Sequence, residues 1–436
     1  MIKRLFWLLF TGLMPLWGVT LEGLISQAME HSTIIKKSKA QMEASRQQRA
    51  QSKAEQFGAI DLVGGYTHYN LPRTLVPLTP ATIATGAQDV TTSKDLYSAG
   101  IVYSVPLFTG FAQTRQVEMD QIAEAMAQSK LSLTKEQLAY NVASLYLSVL
   151  ALEEMKRAQY KHVEALQKLE KTIASEVSLG KKAKIDLLKA QKDLFGNRSY
   201  LEVLKGNIAM TKASLAALVG VDDIGTLQRV KVSVKKPRYA LGDLMAKAEG
   251  LNRVKVAQYN VKKAAKGVQK AQASWMPQVA LESYYGYNYG ENDPTQVNPS
   301  TGWDNEKVWQ VGVNAKWRVF DFGKRESGIE KAKIAKMQAA YDKQQTLLDL
   351  KKSLVEAREK IYQAYATYQG DLKQLSLAKA SEKIERVRYE NGVSTINDLL
   401  YATSQTQLAK AKLIESKYNY QKGKFYMNYL LERGVR

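Results

Sequence analysis

The chain repeats itself. Ser178–Ala190 reads SLGKKAKIDLLKA and Arg388–Ala402 reads RYENGVSTINDLLYA. Gly180 aligns with Gly392, Asp186 with Asp398, Leu187 and Leu188 with Leu399 and Leu400, and Ala190 with Ala402. Every pair is displaced by 212 positions, close to half of the 436 residues. The same offset relates Gly100 to Gly312 and Phe108 to Phe320, far from the first match. Only an architecture that uses one structural plan twice accommodates such a chain.

The plan contains long helices. Ala112 to Leu179 holds neither Gly nor Pro, and as a helix this stretch makes a rod of about 100 Å. Leu145, Val149, Leu152, Leu166, Leu169, Ile173 and Val177 fall at three- and four-residue steps, a coiled-coil seam. Ile329 to Asn391 repeats the pattern, interrupted only by Gly370. Gly180 and Gly392 suit the left-handed cap that ends a helix, and helical spacing resumes after each toward Val219 and Leu430. Each glycine therefore marks the tip of an antiparallel helical hairpin.

Ahead of each rod the period switches from helical to alternating. In VWQVGVNAKWRVF (308–320), Trp309, Val311, Val313, Ala315, Trp317 and Val319 share one face. Gln310, Gly312, Asn314, Lys316 and Arg318 share the other. LYSAGIVYSVPLF, ending at Phe108, is its counterpart, and further strands are expected at about 59–69 and 277–289. Polar, turn-rich loops join the strands of each pair. The domain plan is a first repeat over 21–218, a linker over 219–250 and a second repeat over 251–436.

Trp309 and Trp317 stand eight residues apart, about 27 Å along a strand and nearer 20 Å when tilted, which fits two interfacial aromatic girdles. A sheet in a bilayer must close, because no water satisfies an open edge. Four strands are too few, since the smallest barrels have about eight. The chain therefore contributes strands to a barrel shared among copies; two, three or four copies give eight, twelve or sixteen strands.

The N-terminus is consistent with that destination. Lys3 and Arg4 precede an apolar stretch from Leu5 to Trp17, followed by Gly18 and Thr20, the order of a secretory signal over residues 1–20. No other stretch approaches the ~20 apolar residues of a spanning helix. The sequence has no cysteine and three histidines, His31, His68 and His162, with no two at metal-ligand spacing. No metal or cofactor is expected. Net charge is +21, but Lys and Arg are dispersed along helices among Glu, Gln and Ala, which describes a solvated surface and not a nucleic-acid footprint. Phosphate loops, nucleophile elbows and His-containing triads do not occur, so no enzyme is expected.

VYSVPLFTGF, AKWRVFDFGK and RYENGVSTINDLLYATSQTQLAKAKLIESKYNYQ together resemble the TolC family of outer-membrane efflux proteins, and the resemblance covers the mature chain. It implies a mostly helical, internally duplicated protomer. Its hairpins would build a periplasmic α-barrel, and its four strands would enter a twelve-stranded barrel of a homotrimer. Implied partners are a periplasmic adaptor docking at the tips near Gly180 and Gly392, an inner-membrane pump of RND or ABC type, and the lipid of a Gram-negative outer membrane. Asp186 and Tyr389 match positions that hydrogen-bond between neighbouring hairpins in the closed channel. Asp398 matches an aspartate projecting into the pore. Ser394 stands where the family's best-known member has an arginine, and Tyr401 where it has a second aspartate. The other reading of Asp186 and Asp398 is as caps of the helices that follow their glycines. The functional expectation is a passive duct for efflux or type I secretion. The alternative is a barrel-anchored trimeric coiled-coil structural protein or adhesin, which usually carries one barrel segment at a chain end.

Overall fold

A computed structural model describes residues 18–84, 90–294 and 298–435. The signal segment expected over 1–20 lies almost wholly outside the described residues. The elements, in order, are α1 (Leu21–His31), α2 (Thr33–Ala54), β1 (Ala59–Thr74), α3 (Pro80–Ala84), β2 (Thr92–Phe108), α4 (Ala112–Ser178) and α5 (Lys184–Val219). There follow α6 (Leu241–Met245), α7 (Asn252–Gln272), β3 (Gln278–Glu291), β4 (Trp303–Lys316), α8 (Lys324–Glu390) and α9 (Ile396–Leu430). The duplication is kept in three dimensions: α8 begins and ends 212 positions after α4, and α9 begins 212 positions after α5. No helix among the described residues is long and apolar enough to cross a membrane.

The chain divides into two compact units. Residues 1–40, 129–256 and 344–436 form the helical one. Its main core packs Leu138, Val142, Tyr146 and Leu150 of α4 against Leu24 of α1, Leu215 and Val219 of α5, and Tyr418 and Phe425 of α9. Tyr146 is fully buried, and its hydroxyl donates to the carbonyls of Gln228 and, at 3.3 Å, Val19. Val19 and Leu227 form a parallel bridge, so one phenol fastens α4 to two chain segments. A second core joins Leu350, Leu354 and Ile361 of α8 to Val254, Tyr420 and Met427. Beside it the Glu432 carboxylate caps α7, accepting from the backbone amides of Asn252 (2.7 Å) and Arg253 (3.1 Å).

The two hairpin tips turn alike. Gly180 and Gly392 have φ of +72° and +74°. Gly180 N–H bonds to the Val177 carbonyl (3.0 Å) and Lys181 N–H to Glu176 (2.8 Å). Gly392 and Val393 repeat these bonds to Tyr389 (3.1 Å) and Arg388 (2.8 Å). This glycine-centred closure satisfies carbonyls that a helix end leaves open.

Residues 41–128 and 257–343 form the second unit, which holds a four-stranded antiparallel sheet ordered β1-β2-β3-β4. The β2–β3 pairing joins the repeats, with Tyr97 opposite Tyr289 and Ile101 opposite Tyr285. β4 begins at Trp303, five residues before the expected 308, and ends at Lys316, four before the expected 320. The cause is pairing: β3 starts at Gln278, whose partner is Lys316, so residues 317–320 have no strand to bond. β2 continues to Phe108 because β3 still pairs with it there, Val279 standing opposite Phe108, although β1 has ended opposite Ser104. Each strand-to-helix junction carries a phenylalanine with positive φ, Phe111 at 69° and Phe322 at 55°, a conformation that bulky residues rarely adopt. At the second junction, buried Arg325 bonds Asp321 Oδ2 (2.8 Å) and the Val319 carbonyl (2.9 Å) while lying 4.0 Å from the Trp275 ring.

Candidate functional site: hairpin tips and open sheet

The sheet's two faces differ in the way the alternation demanded. Register places Leu62, Ile101, Tyr285 and Trp309 in one row across all four strands. Val311 and Val313 continue that face along β4, and both are exposed. The opposite face carries Asp61, Ser104, Glu282, Gln310, Gly312 and Asn314, with Asn314 donating to Glu282 at 2.9 Å. On the apolar face, Lys307 and Asn305 follow Trp309 toward the start of β4, and Lys307 Nζ lies 4.9 Å from the Tyr285 ring. Trp317 falls just past the strand and stays 63 % exposed, its indole N–H donating to the Trp275 carbonyl at 3.0 Å. Among the described residues β1 and β4 each pair on one side only. An exposed sheet with an apolar face and two unpaired edges is unfinished in water.

At the tips, Ile173, Ala190, Tyr389, Ile396 and Leu399 form a small core binding the two hairpins together. Tyr389 is buried, yet its hydroxyl meets no hydrogen-bond partner among the described residues. Lys182 Nζ lies 3.9 Å from the centre of its ring, a cation–π contact. Burial holds the phenol above its ordinary pKa; Lys182 opposes it, and Glu176 and Asp186 add smaller contributions in the same direction as burial. Within one chain, what joins the hairpins here is apolar packing and a lysine over an aromatic ring.

Asp398 forms a capping box. Its Oδ2 accepts from Thr395 N–H (2.9 Å) and Oγ1 (2.7 Å), while Thr395 Oγ1 accepts from Asp398 N–H (3.3 Å). The Thr395 bonds, with a smaller contribution from Arg388, hold the carboxyl below its ordinary range. Asp186 differs: α5 starts at Lys184, and its N-cap Ala183 provides no side-chain cap. Asp398 and Tyr401, the latter 68 % exposed, line a groove of about 830 Å³ between α8 and α9, together with Arg388, Glu385 and Leu377. Ser394 is half-buried, its hydroxyl facing the Glu385 carbonyl at 3.5 Å. Among the described residues no cluster of three or more His, Cys, Asp and Glu could hold a metal. His162 is buried, and burial holds its imidazole below the usual range.

The sequence profile of the outer membrane efflux protein family matches residues 24–221 and 250–423, spanning both repeats. The chain belongs to that family. No curated protein matches its sequence. Among solved structures, a membrane protein from Pseudomonas aeruginosa superposes with a TM-score of 0.79 at 14 % identity, covering 95 % of this chain and 91 % of that one. The outer membrane protein VceC of Vibrio cholerae gives 0.76 at 17 % identity, over 95 % and 97 % of the two chains. The Campylobacter jejuni CmeC outer membrane channel gives 0.77 at 15 %, over 95 % and 86 %. At such identities these likenesses establish fold. Family and fold together bear out the resemblance to TolC, and the protein is an efflux channel of the outer membrane.

Proposed function

We propose that three copies of this efflux channel protein close a twelve-stranded barrel and a ring of helical hairpins into one passive duct. The observation that carries the proposal is the open sheet. Its β1 and β4 edges lack partners, its exposed face is apolar, and four strands cannot close alone. Three copies supply the missing neighbours; that number follows the family pattern. Trp309, beside Tyr285 and below Lys307, and Trp317, tied to the Trp275 carbonyl, mark the two membrane interfaces.

In this reading the tips around Gly180 and Gly392 are the periplasmic gate and the docking place of an adaptor, which couples the duct to an inner-membrane pump of RND or ABC type. The duct performs no chemistry, and energy comes from the pump. Tyr389 and Asp186 hold the hairpins in the closed state. Asp398 and Tyr401 ring the constriction, where three carboxylates in a narrow aqueous passage bind cations. With Ser394 in place of a basic residue and Tyr401 in place of an acid, the closed state relies on the Tyr389 cluster more than on ion pairs.

The test is assembly. Amine-reactive cross-linking of the purified full chain in detergent should give a ladder ending at three copies, and the same material should form channels in planar bilayers. A water-soluble chain whose ladder ends at one copy would reject the duct.

A further inference from the structure

A second cavity, of about 430 Å³, opens between α4, α8 and α9 beside the linker segment. Arg157 and Lys161 of α4, Lys410 of α9 and Arg229 of the linker reach it. None of these four side chains has an ion pair or hydrogen bond among the described residues. The one carboxylate present, Glu154, is already bound by Lys417 at 2.7 Å and 2.9 Å and by the Tyr418 hydroxyl at 3.1 Å. It is therefore committed and offers little to the other cations. Burial, then the charges of Lys379 and Lys161, keep the Lys410 ammonium below its ordinary range, with Glu154 opposing weakly. Arg157 and Lys161 also border a neighbouring cleft of about 400 Å³ that contains Lys156 and Lys205, so positive charge continues along α4. The remaining wall is apolar, with Tyr368, Leu375 and Leu413.

Four like charges held around one hollow repel each other, and an anion placed among them relieves that repulsion. The apolar wall favours a ligand with a hydrocarbon body over a bare inorganic ion. We propose that this cavity is a binding site for an organic anion, a carboxylate, sulfonate or phosphate ester carried on an apolar body of one or two rings. Arg157 and Arg229 would engage the anionic oxygens with their forked donors, Lys161 and Lys410 would supply point charge, and Tyr368, Leu375 and Leu413 would cover the body. Every residue lining the site belongs to the helical unit of one chain.

Calorimetric titration of the full chain in a nonionic detergent with naphthalene-1-sulfonate tests the proposal, using 1-naphthalenemethanol as the uncharged counterpart and inorganic phosphate as the bare anion. Saturable binding of one sulfonate per chain is expected, at least tenfold tighter than either comparison compound. It should weaken with added salt, and Lys161→Gln/Lys410→Gln should weaken it at least tenfold. Lys205→Gln, outside this cavity, should leave it unchanged. Absence of saturable heat, equal affinity for the alcohol or for phosphate, an unaffected double variant, or an equal loss in Lys205→Gln would each overturn it. Size-exclusion and circular dichroism profiles matching the parent confirm that the double variant folds. If it does not fold, the salt dependence and the two comparison compounds decide the matter on the parent protein.

Discussion

Single residues at the tips carry two duties, and the structure separates them. Asp398 is a helix cap by its bonds to Thr395. That does not exclude the pore, because the side chain remains exposed beside Tyr401 in the α8–α9 groove. In single-channel recordings, Asp398→Asn should weaken block by divalent cations; unchanged block would remove this carboxylate from the constriction. Thr395→Ala isolates the structural duty. It should cost about 1 kcal/mol and speed hydrogen exchange in the first turn of α9, leaving cation block intact. Tyr146 makes a pH prediction. Burial raises its phenol from 10.0 to about 12, so the folded chain keeps a proton that the unfolded chain releases. This contribution to stability is present below pH 10 and is lost as pH rises toward 12. Tyr146→Phe should cost about 1–2 kcal/mol at neutral pH, by taking the donor from the Gln228 carbonyl while Val19 keeps its bond from the Gln228 amide, and should flatten the alkaline decline in denaturant titrations. Nothing in the sequence marked Tyr146 from the other tyrosines, since its partners at Val19 and Gln228 lie far away along the chain.

The helical elements were legible because their cause is local. Glycine position and apolar spacing alone place the ends of α4, α5, α8 and α9 close to where they occur. Gly180 and Gly392 have nothing within 4 Å of an added Cβ, so substitution meets only the left-handed backbone penalty. Gly180→Ala and Gly392→Ala should each cost about 1 kcal/mol, detectable as increased exchange at the tip; no cost would mean the turn reorganises freely. The end of β4 was not legible. Alternation continues through Trp317 and Val319, but a strand needs a partner, and β3 offers none beyond Gln278. The chain closes that end through Arg325, a residue sequence spacing did not single out. Arg325→Ala leaves the largely covered Asp321 carboxylate without its ion partner and removes the cation from the Trp275 face. A loss of about 3 kcal/mol is expected in urea unfolding of the detergent-solubilised protein.

For the whole molecule, the sheet decides which surroundings are tolerable. Val311→Arg places charge on the apolar face and should destabilise the membrane-inserted form by about 2–4 kcal/mol, whereas Gln310→Arg, one residue away on the polar face, should be accommodated. Equal effects in a folding titration into lipid vesicles would refute the assignment of faces. The sequence by itself determined the duplication, the hairpins, their glycine tips and the alternation of the strands, because helical period, strand period and glycine conformation are written over a few neighbouring residues. It also left Lys and Arg looking dispersed. Only the tertiary structure gathered Arg157, Lys161, Arg229 and Lys410 around one hollow, left the Tyr389 hydroxyl without a partner, and stopped β4 at Lys316. Those outcomes depend on which distant segments meet, and that is fixed by packing and pairing across the fold, where no local period carries the information.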